Sequence, residues 1–247
     1  MLSRLSCLAL MLLLFTGCPS QNTLPGKSIL FIGNSFTAVN DLPGMFVQLA
    51  KSGGSAVNAR MCAPGGYRLI QHVSDPSTLS KLSSQKWDIV VLQEQSQAPA
   101  IQTERETYMY PAVRSFDGLI RKAGSVPLLY MTWGRKHGCP EIGFSDYGSM
   151  QEKLIEGYLG IAKELSIECA PVGIAWKTAV ERRPYLELWA ADGIHPSPAG
   201  TYLAACIFYA VIYHHSPEGL NFTAGLSFSD AGFLQAIAAE TVLKNPI

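Results

Sequence analysis

Asp192-Gly193-Ile194-His195-Pro196 places an acid three residues before a histidine on a loop stiffened by glycine and proline. A carboxylate at that distance can curl back to accept from the imidazole Nδ1–H. That fixes the tautomer and leaves Nε2 free to act as a base. The same spacing also suits a helix cap followed by a surface histidine, so the loop alone leaves both readings open. Far upstream, Gly33-Asn34-Ser35 follows the apolar run Ile29-Leu30-Phe31-Ile32. A small hydroxyl residue on a tight turn at a strand end presents its Oγ at the top of a sheet, although a plain turn has the same composition. Ala63-Pro64-Gly65-Gly66-Tyr67 pairs two glycines, whose N–H groups can face a cavity with no side chain in the way. Ile89-Val90-Val91-Leu92 changes abruptly to Gln93-Glu94-Gln95-Ser96-Gln97. Amides at the end of a buried strand need partners, which makes this change hard to explain by folding alone. Together these residues amount to a nucleophile, a base with its orienting acid, and donors for a developing negative charge.

Positioning them requires strand ends held side by side. Strand-like runs occur at Ser28 to Ile32, Ala56 to Met61, Trp87 to Gln93, Val126 to Thr132 and Ala170 to Ile174. Helical patterns lie between them: Asp41-Leu42-Pro43 to Lys51, Thr103 to Lys122, and Tyr147 to Leu165. In the last of these Met150, Leu154, Tyr158, Ile161 and Leu165 recur at three- and four-residue steps, a core-facing stripe. Further helices are expected after Pro198 and from Ser229 to before Pro246. Strands alternating with helices imply a mainly parallel sheet covered on both faces, with sites outside the carboxyl ends of the strands.

The chain has 247 residues, 48% of them apolar and 15% charged, with 19 basic and 19 acidic residues. It can bury a sizeable core, and it has no basic run to neutralise a row of phosphates, which argues against nucleic acid as a partner. Arg4 followed by the apolar run Cys7 to Phe15 reads as a signal peptide, too short to span a bilayer. Its end, Phe15-Thr16-Gly17-Cys18, resembles the bacterial lipobox, with Phe15 where Leu is usual and Cys18 as the lipidated residue. The expected organisation is a signal peptide over residues 1–17, a tether over 18–27 and a single domain over 28–247. The expected location is the bacterial cell envelope, with Pro19 after the cysteine favouring the outer membrane and lipid as the only attachment to it. Cys62, Cys139, Cys169 and Cys206 allow three complete pairings, and Cys169 and Cys206 lie in apolar surroundings that suit buried free thiols. No Cys/His cluster suggests a metal. His214-His215 are adjacent on a helical pattern and point about 100° apart, so a helix end suits them better than a metal pair.

The order of these blocks resembles the SGNH/GDSL hydrolase superfamily over essentially the whole chain after the leader. The resemblance implies a three-layer α/β/α sandwich on a five-stranded parallel sheet, flavodoxin-like in arrangement, and an enzyme needing no cofactor. It assigns Ser35 as nucleophile, His195 as general base and Asp192 as its orienter. It also assigns Ser35 and Gly66 as backbone oxyanion donors, with Gly65 as the alternative to Gly66. The third block departs from the family, because no Asn stands where a donor amide is usual. Alignment puts Gln97 there, with Gln95 as the rival. Asn34 stands where the first motif usually has Asp. Tyr67, Trp133, Arg135 and Trp189 are the candidates for substrate contact, since aromatic faces suit sugar rings and arginine suits an anion. His72 and His137 can lie near the site mouth without an assigned role. The function implied is a serine esterase acting on a short-chain, acetyl-type ester of a carbohydrate. A lysophospholipase or thioesterase, and a non-catalytic glycan-binding lipoprotein, are the alternatives.

Overall fold

The computed structural model describes residues 26–245. The leader and Cys18 therefore lie outside the described residues. Five strands, β1 (Lys27–Ile32), β2 (Val57–Cys62), β3 (Ile89–Leu92), β4 (Val126–Tyr130) and β5 (Glu168–Ala170), form one parallel sheet in the order β2-β1-β3-β4-β5. Side chains alternate across it with the two-residue period of a strand. Ile29 and Phe31 of β1 join a core that contains Phe46 and Phe208, while Leu30 and Ile32 join one that contains Phe116 and Ile161. Both faces are buried, and that is why β1 and β3 read as unbroken apolar runs.

Against the first face lie α2 (Leu42–Ser52), α8 (Val172–Arg182), α9 (Pro198–Tyr213) and α10 (Phe228–Ala239). Against the second lie α6 (Tyr110–Lys122) and α7 (Tyr147–Leu165), with the short helices α3 (Leu69–His72) and α4 (Pro76–Ser83) beside them. The architecture is thus the expected three-layer sandwich. Helix α9 is apolar on every side, and each residue from Ala199 to Tyr213 is buried. It packs between the sheet and α2 and α10, the environment that such a helix requires. Helix α7 has the expected limits, closed at its start by Asp146, whose carboxylate accepts from Ser149 N–H at 2.8 Å.

Two expectations are corrected. The run Ala170 to Ile174 is not the fifth strand; β5 ends at Ala170 and α8 begins at Val172. Val172, Ala175, Trp176 and Ala179 are buried at helical spacing, so a short apolar run that suits either structure becomes helix after Pro171. The helix expected over Thr103 to Lys122 is divided into α5 (Gln102–Glu104), a π-turn over Arg105–Met109, and α6. Pro111, which has no N–H to donate, lies in the first turn of α6, one residue beyond the π-turn, where a helix start tolerates it. The four cysteines Cys62, Cys139, Cys169 and Cys206 are buried and free. Among the described residues no helix is long and apolar enough to cross a membrane.

Register brings the first three blocks level. Ile32 pairs with Cys62 on one side and Leu92 on the other. Gly33 N–H donates to Cys62 O at 3.0 Å and Gln93 N–H to Ile32 O at 2.9 Å, so three chain segments leave the sheet at one height.

Candidate active site

Ser35 is the first residue of a one-turn helix, α1 (Ser35–Ala38), directly after β1. His195 lies on the loop before α9, and its Nε2 is 2.9 Å from Ser35 Oγ. Its Nδ1 is 2.5 Å from Asp192 Oδ2, while Asp192 Oδ1 accepts from Ile194 N–H at 2.9 Å and His195 N–H at 3.0 Å. The hydrogen bond from His195, followed by those two backbone N–H groups, holds the Asp192 carboxyl down to about 2. The acid therefore stays ionised at any ordinary pH, and a Ser–His–Asp relay of this geometry can activate a hydroxyl. The loop is built from both sides. Ala190 N–H reaches His195 O at 2.8 Å, and Asn40, in a left-handed turn at φ 57°, donates Nδ2–H to Pro196 O at 3.0 Å.

The turn carrying Ser35 is held by buried amides. Gln93 Oε1 accepts from Asn34 N–H at 2.9 Å and from Thr37 Oγ1–H at 3.0 Å, and Gln93 Nε2–H donates to Asn34 Oδ1 at 2.9 Å. A Cβ on Gly33 would sit 2.4 Å from Gln93 Oε1, so glycine is what lets the amide approach. Asn34 Oδ1 also caps α1 through Phe36 N–H, and its Nδ2–H donates to Tyr67 O at 2.9 Å. A carboxylate at position 34 has no proton for that carbonyl, which gives the departure from Asp a structural reason: Asn34 ties the first block to the second.

Ser35, Gly66, Gln95, Ser96, Arg135 and His195 line a cavity of about 270 Å³. Gly66 adopts φ 74°, a left-handed conformation that glycine takes without strain. Among the described residues neither Ser35 N–H nor Gly66 N–H has an acceptor, so both are open donors. Gly65 does not line the cavity. In the third block the cavity is lined by Gln95, the rival amide, and not by Gln97. Gln97 Nε2–H is turned to the buried Cys139 Sγ at 3.2 Å and lies off the cavity. Gln95 lines it, with Oε1 fixed by Gln97 N–H at 2.8 Å and Ala98 N–H at 3.2 Å, and its Nε2–H donates to Ser96 Oγ, another lining residue, at 3.4 Å.

The aromatic candidates belong to the framework. Trp133 is 1% exposed, stacked between Phe36 at 4.8 Å and Trp176 at 4.0 Å, and its Nε1–H donates to Ile194 O. Trp189, also buried, donates Nε1–H to Gly134 O at 3.0 Å and borders a neighbouring hollow with Lys136 and His137. The two tryptophans thus support the histidine loop from below. Tyr67 is half-buried, its ring against that of His72. His72 itself is fully buried behind the serine turn, with Nε2 against Gly33 O at 2.8 Å and Nδ1 against Thr78 Oγ1 at 2.7 Å. His214 and His215 lie exposed at the end of α9, and among the described residues no cluster of His, Cys, Asp or Glu is disposed to hold a metal.

Glu94 is a site residue that sequence reading passed over. Its fully buried Oε1 accepts from Gln95 N–H at 2.6 Å and Leu69 N–H at 3.2 Å, joining the second block to the third. Burial pushes its carboxyl up to about 7 against the pull of those N–H groups and of Arg68.

No protein-family model matches the chain, and no curated protein matches it. Among solved structures, a protein of Slackia heliotrinireducens carrying a provisional SGNH hydrolase designation is 30% identical, with a TM-score of 0.66 over 76% of this chain and 99% of its own. The chain belongs to the SGNH hydrolases. A DUF4886 family protein from Bacteroides uniformis has the same fold, at 19% identity and a TM-score of 0.77 over 90% of this chain and 96% of its own. An acetylxylan esterase from Geobacillus stearothermophilus, solved as a catalytic mutant, shares it at 16% identity and a TM-score of 0.54, over 75% and 94%.

Proposed function

We propose that the protein is a serine esterase that removes a short acyl group, acetyl in the first instance, from a carbohydrate ester. The observation that carries this is Ser35 Oγ at 2.9 Å from the Nε2 of an Asp-oriented histidine, opening on a cavity of only about 270 Å³. That space suits an acetyl group; a hollow of about 380 Å³ lined by Lys136, His137 and Asp192 lies beside it with room for the alcohol part, and the hollows near the amino ends of the strands are remote from Ser35. Ser35 Oγ attacks the ester carbonyl as His195 takes its proton. The N–H groups of Ser35 and Gly66 and the Gln95 amide receive the developing oxyanion. His195 then protonates the leaving alcohol, and water, deprotonated by His195, releases acetate from acyl-Ser35. Gln95 supplies the carboxamide that the third block otherwise lacks, and this favours an enzyme over a binding-only protein. The neighbouring acetylxylan esterase is in keeping with a carbohydrate acetyl ester.

A fluorophosphonate probe should label Ser35 alone, and turnover of p-nitrophenyl esters should fall steeply from acetate to octanoate. Label elsewhere, or a preference for octanoate, would refute the reading. The proposal includes a lipid anchor at Cys18 in the cell envelope, tested by incorporation of a labelled fatty acid that Cys18→Ala should abolish.

A further inference from the structure

The cavity at Ser35 has one permanently charged side chain among its lining residues, Arg135, on the loop after β4. Its charge is left open, which among the described arginines is shared only by Arg60 on β2, away from the cavity. Arg68, Arg105, Arg114, Arg121, Arg182 and Arg183 each lie within 3.0 Å of a carboxylate. Arg135 has only Glu141, at 3.9 Å and with 68% of its side chain exposed, a separation and exposure at which water screens most of the attraction.

What holds Arg135 is neutral. Its Nη1–H donates to Cys139 Sγ at 3.2 Å, and that sulfur donates in turn to Glu141 Oε1 at 3.1 Å. Burial and the Glu141 contact both raise the Cys139 thiol, so it does not become a thiolate that would cancel the cation. Gln97 Nε2–H steadies the same sulfur from the other side. The guanidinium is thereby fixed in position with its charge intact. Nε–H is buried without an acceptor, and Nη2 is neither buried nor bonded within the described residues, so Nη2 is the donor left open to a ligand. A guanidinium placed beforehand, with donors unused, is arranged to meet an anion.

We propose that Arg135 recognises an anionic group on the ester substrate, a carboxylate in the first instance, so that the preferred substrate is an acylated acidic sugar. This rests on the esterase reading above and adds the charge of the substrate to it. Arg135 acts on specificity: the anion docks on the guanidinium while the acetyl carbonyl lies over Ser35.

Matched esters test the proposal: an O-acetylated methyl galactoside and its galacturonate counterpart, alike except for the carboxylate. The expected result is a kcat/KM about 10- to 100-fold higher for the galacturonate, the size of one charge-assisted hydrogen bond, carried in KM and shrinking as salt is raised. Arg135→Gln should bring the ratio near one, and Arg135→Lys should keep part of it. The 6-sulfate and 6-phosphate analogues separate a carboxylate site from a general anion site; preference for either over the galacturonate overturns the carboxylate assignment. A wild-type ratio near one, or a preference that survives in Arg135→Gln, overturns the proposal while leaving the esterase reading intact. Calorimetry on Ser35→Ala gives a readout free of catalysis. Free galacturonate should bind more tightly than galactose, and adding Arg135→Gln should remove the difference; equal binding of the two sugars overturns the proposal even if no ester is turned over.

Discussion

The histidine loop and the segment after β3 both fix polar groups above the sheet, but they do so by opposite means. The loop sets its acid and base by itself: Asp192 takes N–H groups from Ile194 and His195, and Trp189 pairs with Pro196, while Asn40 and Trp133 only tie its backbone to the rest. The segment after β3 is held by side chains reaching out of it: Gln93 to Asn34, Glu94 to Leu69, Gln97 to Cys139, partners 25 to 59 positions away. A self-contained motif keeps its meaning when read along the chain. A motif completed from elsewhere does not, and five consecutive polar residues give no sign of which one faces the cavity.

Substitutions can break this contrast, and the largest effect belongs to the relay. Ser35→Ala or His195→Ala should lower kcat by about a million-fold, and Asp192→Asn by about ten-thousand-fold through the wrong tautomer, measured on p-nitrophenyl acetate. With Asp192 held down to about 2, its ionisation should leave no step in the wild-type pH profile above about pH 4, and such a step would mean that the acid is not held as the hydrogen bonds imply. Next comes the segment after β3: Gln95→Ala should cost about 100- to 1,000-fold in kcat, as for one oxyanion donor, while Gln97→Ala should cost far less. The reverse order would mean that the cavity-facing amide is not the working one.

Smaller effects test the ties between blocks. Asn34→Asp removes the donor to Tyr67 O and puts a buried carboxylate beside it. Stability should fall by about 1 to 3 kcal/mol in urea titration, with a lower kcat as Ser35 loosens. The most specific effect is on pH dependence. Glu94, raised from 4.5 to about 7, keeps in the folded chain a proton that the unfolded chain releases. Its contribution to stability is therefore fully present below pH 4.5 and is lost as pH rises to about 7, by on the order of 3 kcal/mol. Glu94→Gln, which keeps an acceptor for the two N–H groups, should flatten that slope in melts between pH 5 and 7.

Much of the fold was legible because burial on both faces writes itself as continuous apolar strands, and α7 shows a clean stripe between caps. The fifth strand was misplaced because Cys169 to Trp176 is apolar throughout, and only packing decides where strand yields to helix. Helix α4 was passed over although Asp75 and Pro76 mark its start, for it is short and half polar. In the site, the relay was visible as spacing. Sequence places Trp133 after a strand end and Trp189 before the histidine loop without showing that both turn into the core. Glu94 stands in the abrupt polar run after β3, but its burial left no signal, since a buried acid and a surface acid are the same letter.

Ser35 and His195 meet across 160 positions of chain. Two groups so far apart can approach only after the sheet between them has assembled, and contacts of that span form slowly. Hydrolytic turnover is consequently a late reporter of folding, and on refolding it should return behind the far-ultraviolet signal of the helices. A chain that stalls part-way, with its secondary structure in place but its two ends apart, is silent and leaves its surroundings untouched.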